Sequence, residues 1–111
     1  MAEYKRYITQ IQENGNVMIS EDVVAAIVEH ALLEVEGAAL QNDIRKNWAK
    51  NMKILIAEDN SVSISVNVVV TYGHSVVNVA NNVQTVLTSA VENMTGVKVA
   101  EVNVNICGIA R

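Results

Sequence analysis

At 111 residues the chain has the length of one domain, able to bury roughly two-thirds of the surface that its unfolded form exposes. Half of its residues are hydrophobic and 18% are charged, a balance that excludes an intrinsically disordered chain. The formal net charge of −4 argues against whole-domain attraction to phosphate backbones or anionic lipid. With no phenylalanine and one tryptophan, there are few platforms on which bases could stack.

A single cysteine, Cys107, cannot form an internal disulfide, so nothing calls for an oxidising compartment. The opening stretch MAEYKRYITQIQENG lacks the apolar region of a secretory signal. The longest purely apolar run, Val23 to Val28, is far shorter than the ~20 residues that span a bilayer. The expected location is the cytoplasm, with any membrane association peripheral or through a partner.

In chain order, residues 1–14 read as an N-terminal arm in which Tyr4, Tyr7, Ile8 and Ile11 fall at roughly helical spacing before Asn14-Gly15 ends the segment. Residues 15–111 read as a single domain. Asn16 to Ile19 is a short strand-like piece. Ser20 then offers an N-cap, and Glu21 and Asp22 sit where the positive helix end favours acids. Val23, Val24, Ile27, Val28, Ala31, Leu32 and Val35 recur at helical spacing, with Gly37 as a stop.

Residues 38–51 are irregular, and with Lys53 just beyond them they hold four of the eight basic side chains within nine positions. Ile44, Trp48 and Met52 stand at i, i+4 and i+8, with Arg45, Lys46 and Lys50 around them. This is a candidate partner surface, a short basic amphipathic turn suited to a membrane surface or an acidic partner. The plainer reading is a connecting loop whose tryptophan packs on the core.

Met52 to Ala57 is strand-like, Glu58-Asp59-Asn60 is turn chemistry, and Val62 to Tyr72 alternates strictly between apolar and other residues. The pair predicts a hairpin with a half-buried second strand. Gly73-His74 breaks the strand and Ser75 caps a second helix. Its stripe is Val76, Val79, Ala80, Val83, Val86, Leu87, Ala90, Val91 and Met94. Six valines disfavour this helix locally, so it must depend on tertiary packing. Gly96 is placed as a left-handed stop. Beyond it the apolar positions run Val97, Val99, then Val102, Val104 and Ile106, a slip of one residue. The slip reads as a connector handing over to a strand near Glu101, or as a β-bulge at Ala100-Glu101.

These elements predict an α+β two-layer sandwich. Two helices pack on one face of a small mixed three- to four-stranded sheet, in the order (β)-α-β-β-α-β. The last strand either lies parallel beside the long one or is separated from it by the N-terminal piece in a ferredoxin-like sheet.

Few residues of the chain suggest chemistry. His30, His74 and Cys107 match no zinc spacing, and each is more simply a helix-surface, turn or packing residue. There is no G-x-S-x-G, P-loop or G-x-G-x-x-G motif. No catalytic residue, metal, cofactor or small-molecule substrate is expected, and the chain does not read as an enzyme. The polar faces of the second helix and last strand are nearly all Asn, Ser, Thr and Gln. Such faces lack the charges that keep strand edges apart, so Asn103 and Asn105 are a candidate self-association surface and a homo-oligomer is expected.

Five stretches resemble one family: G-x-V-x-I-S-x-D-V-V (Gly15 to Val24), L-E-V-E-G (Leu33 to Gly37), V-V-x-Y-G (Val69 to Gly73), V-A-x-x-V-Q (Val79 to Gln84) and E-N-M-T-G-V-x-V-x-E-V-N-V (Glu92 to Val104). Together they look like the alkaline shock proteins, small envelope stress response proteins of Gram-positive bacteria. The resemblance implies a cytosolic, non-enzymatic protein of envelope homeostasis. Some members are held at the membrane by a separate anchored partner, and others are linked to fatty-acid metabolism. Three functions follow in order of preference: an envelope protein acting through protein contacts and self-association, a soluble regulatory adaptor of a lipid-metabolism enzyme, and a nucleic-acid-binding module. The last is opposed by the negative charge and the lack of a G-x-x-G loop.

Overall fold

The computed structural model of the protein describes residues 4–40 and 52–110. In chain order they form β1 (Tyr4–Lys5), β2 (Tyr7–Gln12), β3 (Gly15–Ser20), α1 (Glu21–Leu32), β4 (Ala38–Leu40), β5 (Met52–Ala57), β6 (Val62–Thr71), α2 (Val76–Thr95) and β7 (Val99–Ala110). The α+β class stands, and the mixed sheet is larger than expected because β1 and β4 join it.

β6 is the organising strand. Val62, Ile64, Val66, Val68 and Val70 are buried on one face, while Ser63, Ser65, Asn67 and Val69 are half-buried on the other, as strict alternation requires. β7 runs parallel to β6 along its whole length. β5 pairs antiparallel with Val62 to Val66, and β4 antiparallel with Val68 to Val70. Because β7 occupies one edge of β6, β4 and β5 share the other end to end. β1 pairs outside β5. The parallel alternative is therefore the one adopted: β3 does not enter this sheet.

β3 pairs instead with β2. The N-terminal segment is extended, contrary to its helical spacing, because Ile8, alone of its described apolar residues, is driven fully into the core while Ile11 stays 85% exposed. A helix would have turned both to one face.

α1 and α2 pack on each other and cover one face of the sheet, α2 over β7 and α1 over β5. Fully buried Val24, Val28, Leu32, Val83, Leu87 and Val91 meet the β6 valines in a single core. The buried line of α2 runs Val79, Val83, Leu87, Val91, Thr95, so Thr95 takes an inward place and Met94 turns out, 71% exposed. Thr95 satisfies its hydroxyl on the Val91 carbonyl at 2.6 Å, which lets a polar residue occupy the core. Val23 is likewise displaced from the expected α1 stripe and is half-exposed.

Gly96 has φ +73° and ends α2 as the sequence predicts, its N–H donating to the Glu92 carbonyl. The slip that follows is a bulge: Val62 pairs with Val99 but Ser63 with Glu101, leaving Ala100 as the extra residue. The strand thus begins two residues before the expected handover. A second bulge leaves Cys107 extra between Ile106 and Gly108, and Cys107 is exposed, correcting its reading as a packing residue.

Candidate functional site

Two surfaces stand out, one on each side of α2. The first is the outer edge of β7, which no strand among the described residues pairs. Val62 N–H donates to the Lys98 carbonyl at 3.0 Å and Tyr72 N–H to that of Ala110 at 2.7 Å, while Thr71 N–H donates to Gly37 on the other side. Even-numbered residues of β6 therefore point their backbone groups at β7. With Ile64 opposite Val102 and Val66 opposite Val104, the parallel ladder is completed by the backbone of Glu101, Asn103 and Asn105. The backbone groups of Val102, Val104 and Ile106 turn away, toward the open edge. Gln84 of α2 donates its Nε2 to the Val102 carbonyl at 3.1 Å and covers that one position.

Asn103 and Asn105, singled out from sequence, are both exposed on the sheet face opposite the helices. Asn105 donates from Nδ2 to Asn67 Oδ1 at 3.2 Å, a cross-strand amide pair. Their side chains flank the edge, but the hydrogen-bonding groups it offers belong to Val104 and Ile106. Sequence reasoning missed those because strand phase says which face a side chain takes and not which neighbour a backbone amide meets. The other sequence candidates, Ile44, Arg45, Lys46, Trp48 and Lys50, lie outside the described residues.

The second surface is a groove of about 620 Å³ between the outward sides of α1 and α2. Val23, Ala26, Ile27 and Ala31 line it from α1, and Val86, Ala90 and Met94 from α2; His30, Glu34 and Asn93 add polar groups. Small residues on the facing walls keep it open, and Val23 and Met94, both expelled from the expected stripes, supply exposed apolar area. The signal in the sequence was the width of the stripes: both helices carry more apolar residues than one buried face holds.

The remaining candidates are dispersed. His30 belongs to the groove, and His74 lies against Gly37, where a Cβ would come within 2.7 Å of the imidazole Cγ. Among the described residues no three His, Cys, Asp or Glu side chains are grouped to hold a metal ion. None of the described helices is long and apolar enough to cross a membrane. The Asp59 carboxylate accepts hydrogen bonds from the Ser61 hydroxyl and Ser61 N–H, at 2.7 and 3.0 Å, which hold it below its ordinary value of 3.8. That is turn chemistry in the β5–β6 connection.

The sequence of residues 9–111 matches the model of the alkaline shock protein 23 family, described as having a cell envelope-related function. The chain belongs to this family. Two relatives extend the match. An uncharacterized Bacillus subtilis protein, YqhY, is 33% identical over 108 residues, covering 86% of this chain and 77% of the relative. An uncharacterized Streptococcus pyogenes protein, Spy1535, is 31% identical over 102 residues, covering 86% of this chain and 79% of the relative. No solved structure matches the chain significantly. As an alkaline shock family member the protein has an envelope-related role, in agreement with the resemblance read from its motifs.

Proposed function

We propose that this alkaline shock family protein is a non-catalytic component of cell-envelope homeostasis that works through protein–protein contacts and associates with itself through β7. It acts in the cytoplasm, held near the inner face of the membrane by a partner protein. The observation that carries self-association is the open edge of β7. Over its length the strand has one charged side chain, Glu101, and the backbone groups of Val104 and Ile106 face outward beside exposed Asn103 and Asn105. A long edge with so little charge is a template for another strand. Two copies meeting antiparallel across a twofold axis would extend both sheets into one.

Sedimentation velocity over a wide concentration range tests this. The wild type is expected to shift toward dimer as concentration rises, and Asn103→Lys with Asn105→Lys to remain monomeric by placing like charges along the edge. A wild-type monomer at every concentration removes self-association from the reading. Cell fractionation tests the location: recovery with membranes only when the anchoring partner is present is the expected result.

A further inference from the structure

The groove between α1 and α2 has the form and charge of a receptor for a helix. It follows α1 from Val23 to Ala31, roughly 12 Å at ~1.5 Å per residue, reaches Glu34 in the turn beyond, and follows α2 from Thr85 to Met94. On each wall the contributing residues recur at i, i+3 and i+4, so the groove runs along both helices rather than across them. Its lining is predominantly apolar, and Ala26, Ala31 and Ala90 leave room for a third backbone to approach.

Charge selects the occupant. Neither helix carries a lysine or arginine. Glu34 is the one carboxylate in the lining, and Glu21 and Glu36 stand on the same helix and the turn behind it. An acidic helix, or the anionic surface of a membrane, would meet like charge here, whereas a cationic amphipathic helix would meet apolar wall and carboxylate together. We infer that the α1–α2 groove binds a short basic amphipathic helix of a partner protein, about three turns long, with aliphatic anchors at i, i+3, i+4 and i+7 and lysine or arginine flanking them toward Glu34. This rests on the reading that the protein works through protein contacts, but it uses a surface separate from β7.

The test uses fluorescence anisotropy with three labelled synthetic peptides of 16 residues: a leucine–lysine amphipathic helix, the same composition with its leucines spread around the helix, and the amphipathic form with glutamate in place of lysine. Saturable one-to-one binding of the first is expected, weakening as salt rises, with the other two at least ten-fold weaker. Ala26→Lys with Ser89→Lys, both at exposed positions of opposite walls, should weaken the first peptide at least ten-fold while leaving the circular dichroism melt in place. Asn103→Lys with Asn105→Lys should leave peptide binding unchanged, so failure at the β7 edge and failure at the groove are read separately. Equal binding of the scrambled peptide, or binding indifferent to the groove variant, overturns the inference. So does a wild-type dimer that the groove variant alone dissociates, which would make a second copy the occupant.

Discussion

Asn60 and Thr9 hydrogen-bond to each other twice, although 51 residues separate them: Asn60 Nδ2 donates to the Thr9 carbonyl at 2.9 Å, and Thr9 N–H donates to Asn60 Oδ1 at 3.3 Å. The side chain acts as a one-residue strand partner for β2, and Lys5 Nζ adds a third bond to Oδ1 at 2.6 Å. Asn60 can serve the turn and the bond together because it holds φ +71°, a left-handed conformation that asparagine tolerates. The β2–β3 hairpin, which shares no ladder with the main sheet, is fastened here to the β5–β6 turn, and Gln10 Nε2 ties it to the end of α2 by donating to the Thr95 carbonyl at 2.5 Å.

Replacing Asn60 separates these contributions. Asn60→Gly keeps the backbone and loses the bonds, with an expected cost of ~1–3 kcal/mol. Asn60→Ala adds the left-handed penalty, about 1 kcal/mol more. Urea unfolding checks both, and amide exchange should show faster opening in β2 and β3 than in β6.

Gly37 is required twice over. Its φ is +86°, and a Cβ would lie 2.7 Å from His74 Cγ and 3.1 Å from a Val79 methyl. Gly37→Ala is expected to destabilise by ~2–4 kcal/mol. Adding His74→Ala should recover only the part due to the imidazole, since the backbone penalty stays; thermal denaturation of single and double variants measures the split.

The two helix caps should respond differently. Ser75 Oγ accepts from Asn78 N–H at 3.3 Å, so Ser75→Ala should cost about 1 kcal/mol. Ser20 occupies the N-cap position of α1 without a side-chain cap bond, and Glu21 N–H donates instead to the Arg6 carbonyl. Ser20→Ala should therefore cost only a few tenths of a kcal/mol. Equal losses in chemical denaturation would contradict this geometry.

Asp59 makes a pH signature. Its folded pKa lies below 3.8 because Ser61 donates to the ionised carboxylate, so its contribution is present above the unfolded pKa and fades as pH falls through the folded one. Wild type should exceed Asp59→Ala in stability at neutral pH, and the difference should shrink as acid protonates Asp59. Melting temperatures from pH 7 down to pH 2.5 would show the two curves converging.

Cys107 should behave as a surface thiol. It is exposed at the second bulge, its Sγ 3.7 Å from the Asn105 carbonyl. Ellman's reagent should modify it fully without denaturant, at a rate close to that in urea. Near-UV and far-UV circular dichroism should be unchanged.

What was legible in the residues was local. The alternation of Val62 to Val70 announces a strand with one buried face, and the stripes of α1 and α2 announce helices. Ser75 and Gly96 bound α2 as their chemistry requires. The misreadings share a cause. Tyr4, Tyr7, Ile8 and Ile11 keep helical spacing over a short stretch, and pairing with β3 overrides it to make β2 extended. Of the candidate surfaces, Asn103 and Asn105 were visible as uncharged strand residues, but the outward amides of Val104 and Ile106 depend on which strand lies beside β7.

By itself, then, the sequence determined the two apolar helix faces, the central strand, the turns and the family, because each is written in residues a few positions apart or in their order along the chain. Tertiary structure alone decided that β7 lies parallel to β6, that Ala100 is expelled as a bulge, and that Val23 and Met94 are left outside the core. Those outcomes turn on how many apolar residues a two-layer core of this size can take in, and on which backbone edges find partners. Both are properties of contacts between distant segments, and among the described residues they leave the groove and the β7 edge uncovered.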